Sequence, residues 1–319
     1  MDPSGGDFEL VADPARTLEP ADGKLWQALS DRAELWQAAC EELGPAGGLS
    51  RFVVVADAPR SQFDALRELL AQNRPLGSGT LGLPIAALAL TGKGFHGHRE
   101  RPWAAAAGNV HLSVSLCPGE PAERMLPALI MLPALALAKA VRRATAGALV
   151  PRIKWVNDLV LGQSKLAGVL TTTSTRGSNV ESAVLGIGLN LNVRPDVTLT
   201  PFVPSVCALR EHVAVPVTLG ALLWPLLDEL VTLYRSLCLR GPQEIWEGYE
   251  AASMVVGEAV RIYDETVGER APGAPWPEPL ARGVVESIAP DLTLRLRGVA
   301  RPVTKGRLAF ESACVRFGV

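Results

Sequence analysis

The chain predicts an α+β protein, a mixed sheet with flanking helices followed by a small C-terminal β-barrel. Three observations lead there. From residue 51 onward, strand-like and helix-like segments mix in an α+β order around one sheet. A continuous apolar run, Met125 to Ala138, reads as a buried core helix. After Trp246-Glu247-Gly248-Tyr249 the texture changes to short strands with turns between them.

The elements follow in order. Residues 1–49 read as an N-terminal extension, with helical segments around Trp26 to Leu43 bounded by Gly5-Gly6 and Gly44-Pro45-Ala46-Gly47-Gly48. They offer no basic recognition helix, which argues against a DNA-binding domain. A catalytic unit is expected over 50–253. It opens with a strand at Arg51–Ala56 and a helix at Ser61–Gln72, whose first turn carries Asp64. Leu83–Leu90 reads as a strand, and Val110–Leu116 alternates with period two, as a half-buried strand does. Ile153–Leu161 and Leu166–Thr173 form two strands joined by the polar turn Gly162-Gln163-Ser164. Ser182–Asn192 is a further strand, and Leu219–Leu239 a long amphipathic helix. From 254 to 319, Val260–Tyr263, Gly283–Glu286, Leu292–Leu296 and Arg307–Phe310 are the strands of the barrel, with a Pro- and Gly-rich loop inserted at 269–279.

With 319 residues, 48% of them hydrophobic, and a net charge of −2, the class is soluble and globular. That balance gives no general attraction to nucleic acid or membrane. The apolar run is interrupted by Pro127 and Pro133 and is shorter than a bilayer needs. Five scattered cysteines without CxxC spacing point to reduced thiols rather than a disulfide framework or zinc site. The first residues show no basic region followed by an apolar core, so the expected location is cytoplasmic. His96 and His98 have no cysteine or acidic partner at ligand spacing.

The densest chemistry lies in Lys154-Trp155-Val156-Asn157-Asp158, followed seven residues after the aspartate by Lys165-Leu166-Ala167-Gly168. Charge on apolar strands needs a partner, either internal or an anionic ligand. Lys154 and Asp158 could form an internal ion pair. A second concentration is Gly92-Lys93-Gly94-Phe95-His96-Gly97. It is a literal GxGxxG, yet no helix opens at its third glycine, so the dinucleotide reading fails. Three glycines with Lys93, His96, His98, Arg99 and Arg101 instead describe either a solvated basic loop or a cradle for a phosphate or carboxylate.

Taken together, three segments resemble the catalytic module of the biotin protein ligases, within the biotin/lipoate ligase superfamily. Gly92 to Gly97, then Trp103 and Gly108-Asn109-Val110-His111-Leu112-Ser113, is similar to that family's GRGRxGR-x-W loop and GxN(L)YxS strand. Lys154 to Asp158 is similar to KWPND, and Lys165 to Leu170 to K-x-A/G-G-I-L. Gly186-Ile187-Gly188-Leu189-Asn190-Leu191-Asn192 is similar to GIGINV/L-N. Order and approximate spacing agree over residues 50 to 315. The resemblance implies a class II synthetase-like catalytic domain and an SH3-like C-terminal barrel.

It also implies a reaction. Biotin, a carboxylate, is activated by ATP to an acyl adenylate, and a lysine of a biotin carboxyl carrier domain then displaces AMP. The first step is largely charge neutralisation and positioning of two anions. On this reading Lys165 and Asp158 are catalytic, with Asp158 also holding Mg²⁺. Ser61, Gln62, Gly92, Lys93, Gly94, Gly168 and Gly186 surround biotin. Gly97, Arg99, Arg101, Lys154, Asn157 and Asn190 meet ATP or the adenylate, although Asn190 is equally read as a strand-end turn residue. A homodimer is compatible, while nucleic acid and membrane are not expected partners.

Departures concentrate on the vitamin side. Arg60-Ser61-Gln62 stands for the family's Ser-Thr-Asn, and the glutamine upstream of the loop falls near Ala89. Phe95 takes the place of an arginine that faces the phosphate; Arg99 or Arg101 would compensate. Lipoate, octanoate or another carboxylate, or ligand binding without turnover, are the alternatives.

Overall fold

The computed structural model describes residues 9–11, 51–55, 57–72, 85–268 and 276–319. The helical segment expected at Trp26–Leu43, the glycine boundaries around it, and most of the 269–279 loop lie outside the described residues. The main sheet has eight strands in the order β1-β2-β3-β4-β8-β7-β6-β5. They are β1 Glu9–Val11, β2 Arg51–Val55, β3 Ile85–Ala89, β4 Val110–Leu116, β5 Arg152–Lys154, β6 Asp158–Leu161, β7 Ser164–Arg176 and β8 Asn179–Leu189. The first three pair in parallel and the others antiparallel, a mixed sheet as expected. β1 comes from the expected extension; three residues carry too little periodicity to be read as a strand.

Helices cover both faces. α1 (Gln62–Gln72) packs on β3, β4 and β8 from one side. On the other lies α2 (Ala122–Ala144), backed by α3 (Leu219–Arg240) and α4 (Gln243–Ala252). Val110–Leu116 is therefore buried along its whole length, not half-buried as its alternation predicts. His111, Ser113 and Ser115 face the α1 side, covered by protein rather than water; Ser115 Oγ accepts from Ile85 N at 2.8 Å.

α2 runs on through Pro127 and Pro133 to a length of 23 residues. By length and composition it could cross a membrane, but 72% of its most apolar window is buried inside the protein, as a core helix is. Pro133 cannot donate to the carbonyl of Leu129. The Thr171 hydroxyl of β7 donates to that carbonyl instead, at 3.1 Å, and ties helix to sheet.

The small C-terminal sheet has the order β11-β10-β9-β12. Its strands are β9 Ala259–Tyr263, β10 Ala281–Ile288, β11 Leu294–Leu296 and β12 Arg307–Phe310, followed by the short helix α5, Glu311–Arg316. It meets the main sheet at β5, where Met254 N donates to Ile153 O at 2.9 Å. Trp155 Nε1 donates to Leu292 O at 2.8 Å, so Trp155 is an anchor between the two sheets.

Candidate active site

The strand expected over Ile153–Leu161 is broken at Trp155–Asn157 into β5 and β6, a hairpin in which Lys154 pairs with Asp158. That register continues across the sheet. Asp158 pairs with Gly168, Gly168 with Gly188, Gly188 with His111, and His111 with Ala89. Directly paired residues point to the same face. One row on the α1 face thus carries Lys154, Asp158, two glycines and His111.

Lys165 does not belong to that face by count. It is three positions from Gly168, and an odd separation on a regular strand puts side chains on opposite sides. A β-bulge resolves this. Leu159 pairs with Ala167 but Val160 pairs with Lys165, leaving Leu166 as the extra residue. A bulge re-aims the residues beyond it, and here it turns Lys165 back onto the face of Asp158. Lys165 Nζ and Asp158 Oδ1 stand 2.7 Å apart. The Lys165 main chain is pinned on its other edge, N to Ser205 O at 2.8 Å and O from Cys207 N at 3.0 Å.

The glycines make a trough along this row. A Cβ on Gly168 would lie 3.5 Å from both Asp158 Oδ1 and Lys165 Nζ. On Gly188 it would meet the Trp103 indole at 2.5 Å, and on Gly186 the Phe63 ring at 2.9 Å. Trp103 thus lies flat in the trough, its ring 5.8 Å from Lys165 Nζ. Trp103 Nε1 donates to His111 Nδ1 at 3.4 Å, while His111 Nε2 reaches Ala106 O at 3.2 Å. One neutral tautomer satisfies both contacts, and burial pushes the His111 imidazole below its ordinary pKa. The motifs that contain Gly188 and Trp103 assign neither a role. The i, i+2 spacing of Gly186 and Gly188 was the available signal for one shared face.

Lys154 is buried and donates to the main-chain carbonyl of Phe202, with the Phe310 ring 5.6 Å from Nζ. The internal Lys154–Asp158 ion pair is not formed, because Asp158 pairs with Lys165. Burial pulls the Lys154 ammonium down to about 8, Asp158 opposing and Lys165 and Arg307 adding to the shift. Asn157 Nδ2 donates to Val169 O at 2.7 Å and fixes the hairpin turn. Asn190 donates to Cys207 O at 3.0 Å, while its buried Oδ1 has no partner. An acceptor left so is costly, and it lies on the wall of a cavity.

That cavity has a volume of about 910 Å³ and runs from α1 to the small sheet. Ser61, Gln62, Gly97, Arg99, Arg101, Lys154, Asn157, Asp158, Lys165, Gly168, Gly186 and Asn190 all line it. So do groups without a sequence signal, Lys305, Arg307 and Glu265 of the small sheet and its loops, and the 195–198 segment. Gln62 is already engaged, donating to His111 O at 2.7 Å.

Three expected members stand outside the wall. Gly92, Lys93 and Gly94 lie behind Phe95, whose buried ring packs on Ala58, Ala89 and Trp103. Gly92 serves close packing there, since a Cβ would lie 2.7 Å from Ala58 O. Gly94 takes a left-handed turn at φ 67°. No helix opens at Gly97, only the single turn His98–Glu100. Arg99 points to Glu265 at 2.5 Å, whereas Arg101 lines the cavity and feels Asp158. Burial pulls the Arg101 guanidinium below its ordinary range, with Asp158 and Glu265 opposing. His96 Nε2 bonds Asp64 Oδ2 at 2.8 Å. Among the described residues no group of three His, Cys, Asp or Glu could hold a metal ion alone. A single carboxylate, Asp158, fits a Mg²⁺ that arrives with phosphate oxygens rather than one held in an all-protein cage.

Known proteins resemble this chain in sequence and in fold. Residues 88–190 match the model of the biotin/lipoate A/B protein ligase family. The chain is 29% identical over 149 residues to the bifunctional ligase/repressor BirA of Bacillus subtilis, covering 46% of this chain and 43% of that protein. It is 36% identical over 117 residues to the biotin–[acetyl-CoA-carboxylase] ligase of Paracoccus denitrificans, covering 36% of this chain and 48% of that one. The match therefore spans less than half the length of either relative. Among solved structures, the Aquifex aeolicus biotin protein ligase in complex with biotin and ATP shares the fold, with a TM-score of 0.60 at 17% identity, over 82% of this chain and 98% of that one. A biotin protein ligase-like protein of unknown function from Silicibacter does so with a TM-score of 0.54 at 14% identity, over 75% of this chain and 87% of that one.

Proposed function

We propose, from the premise that residues 88–190 carry a biotin/lipoate A/B protein ligase family domain, that this chain adenylates biotin with ATP and passes it to a lysine of a biotin carboxyl carrier domain. One observation supports this reading most. The bulge at Leu166 brings Lys165, Asp158 and Gly168 onto one face of the cavity floor. A cation–carboxylate pair over a glycine suits a place where two anions must meet.

In the first half-reaction a carboxylate oxygen of biotin attacks the α-phosphorus of ATP and pyrophosphate leaves. Lys165 exchanges its contact with Asp158 for the biotin carboxylate and the α-phosphate, a point charge shared by two anions. Asp158, so released, would hold Mg²⁺, which would supply further charge neutralisation. Arg101 lies on the phosphate side. Asn190 offers its unpartnered Oδ1 as an acceptor for the nucleotide. Asn157 holds the turn that presents Asp158, and Lys154 supplies positive potential from beneath. Trp103 excludes water from the Lys165 face, which protects the acyl phosphate from hydrolysis. In the second half-reaction the carrier amine attacks the acyl carbon and AMP leaves.

Ser61, Gln62 and Gly186 surround the ring of the acid. The Gln62 amide donates within the protein and Phe63 fills the space above Gly186, so identity of the acid rests on Ser61 and the shape of this end.

The test is incubation of the chain with ATP, Mg²⁺ and a biotin carboxyl carrier domain, in the presence of biotin, lipoate or octanoate, read by intact mass of the carrier. Biotin alone on the carrier lysine is expected. Another acid there would move the assignment to a sister ligase. An unmodified carrier in every arm would leave a binding protein without turnover.

A further inference from the structure

The glycine-rich loop over the cavity is held from two sides by carboxylates of the protein itself. On one side Asp64 of α1 takes the His96 imidazole at 2.8 Å. On the other, Glu265, in the turn after β9, takes Arg99 Nη2 at 2.5 Å, with His98 Nε2 at 3.5 Å from its second oxygen. Arg99 and Glu265 are 166 residues apart in sequence and belong to different sheets' loops. We propose that Glu265 is a clasp, by which the C-terminal barrel holds the glycine-rich loop closed over the cavity.

Glu265 is presented rigidly. Its neighbour Asp264 accepts from Thr266 N at 2.9 Å and from Thr266 Oγ1 at 2.6 Å, which locks the turn. The loop tip needs an external hold. Arg99 and Glu100 are consecutive non-glycine residues in the left-handed region, at φ 59° and 54°. Each such residue costs on the order of 1 kcal/mol. At the base of the loop Gly97 N pairs with Arg101 O and Trp103 N with Phe95 O, both at 2.8 Å, and Lys93 N with Ala58 O at 3.0 Å, none of which reaches the tip at Arg99 and Glu100. The Arg99–Glu265 bond, between an Arg99 side chain 50% exposed and a Glu265 side chain 21% exposed, holds the strained tip in place. The same bond occupies the guanidinium of Arg99, the group expected to meet phosphate. On the ligase reading, nucleotide must compete with Glu265 for Arg99. The clasp itself does not depend on which acid the cavity takes.

Hydrogen exchange of the ligand-free full chain tests it, on the unsubstituted protein, Glu265→Ala, and the charge swap Arg99→Glu with Glu265→Arg. In Glu265→Ala the amides of 95–101 should exchange about 10-fold faster, as released loops do. Those of β4 and β12 should keep their protection. The swap should recover most of the loop's protection. Unchanged loop exchange in Glu265→Ala, or no recovery in the swap, would overturn the clasp. So would loss of protection throughout β9–β12, which would make Glu265 a barrel residue instead. No ligand or turnover enters this experiment, so its outcome and that of the carrier assay are read independently.

Discussion

The two halves of the cavity are built in opposite ways. The hairpin side, β5 to β7, takes its cavity-lining groups from neighbouring registers of one sheet. Lys154, Asp158, Gly168 and Lys165 are placed by main-chain pairing and a single bulge. The loop side takes its geometry from distant partners, Asp64 on α1 and Glu265 beyond β9. Local sequence can specify the first arrangement, because every partner lies within fifteen positions. The second depends on contacts that close only when the barrel docks.

If the hairpin carries the chemistry, Lys165→Ala should have the largest effect. Loss of a charge that acts mainly in the transition state costs about 10²–10³-fold, here in adenylate formation. The melting temperature should stay within a few degrees, since the Lys165 side chain is partly exposed. Near-normal activity in that variant would take the chemistry away from the hairpin.

The glycines sharpen it. Gly188→Ala must displace Trp103, because its Cβ would lie 2.5 Å from the indole, while Gly168→Ala meets only ordinary contacts at 3.5 Å. Without ligand, the first should cost about 1–3 kcal/mol as an overpacked site does, and uncover Lys165. The second should leave stability nearly unchanged. Comparing denaturant midpoints with turnover separates them; equal destabilisation would refute the trough.

Lys154 gives a smaller effect with a definite sign. Its folded-state pKa, about 8, lies below the ordinary lysine value of 10.5. Below pH 8 the buried charge opposes folding in full. Between about 8 and 10.5 the unfolded chain binds the extra proton, so this group makes stability rise with pH. Lys154→Met should abolish that rise and stabilise the protein by roughly 1–2 kcal/mol at pH 7, buried lysine being costly. It should also weaken ATP binding. Urea titrations at several pH values would show it, and a variant less stable at pH 7 would contradict the burial argument.

The contrast also decides what could be read from the sequence. The strands β4, β7 and β8 were legible, β4 from its period-two run, though not their order in the sheet, and the lysine–Asn-Asp segment was legible from charge placed on apolar strands. The bulge was not, since spacing alone puts Lys165 and Gly168 on opposite faces. Nor was the break at Trp155–Asn157, which reads as continuous apolar strand. The loop was legible as cationic and glycine-rich but not in its direction. Phe95 buries itself against Ala58 and Trp103 and carries Gly92, Lys93 and Gly94 out of the wall. Arg99 turns to a carboxylate 166 residues away. Long-range pairs of this kind leave no local pattern.

Activation of an acid at the hairpin is the step that most needs testing. ATP–pyrophosphate exchange by the unsubstituted chain, with biotin as the only acid and no carrier present, bears on it most directly. Exchange that requires biotin and Mg²⁺ together is expected. Absence of exchange with biotin, or exchange that proceeds without any acid, would contradict it.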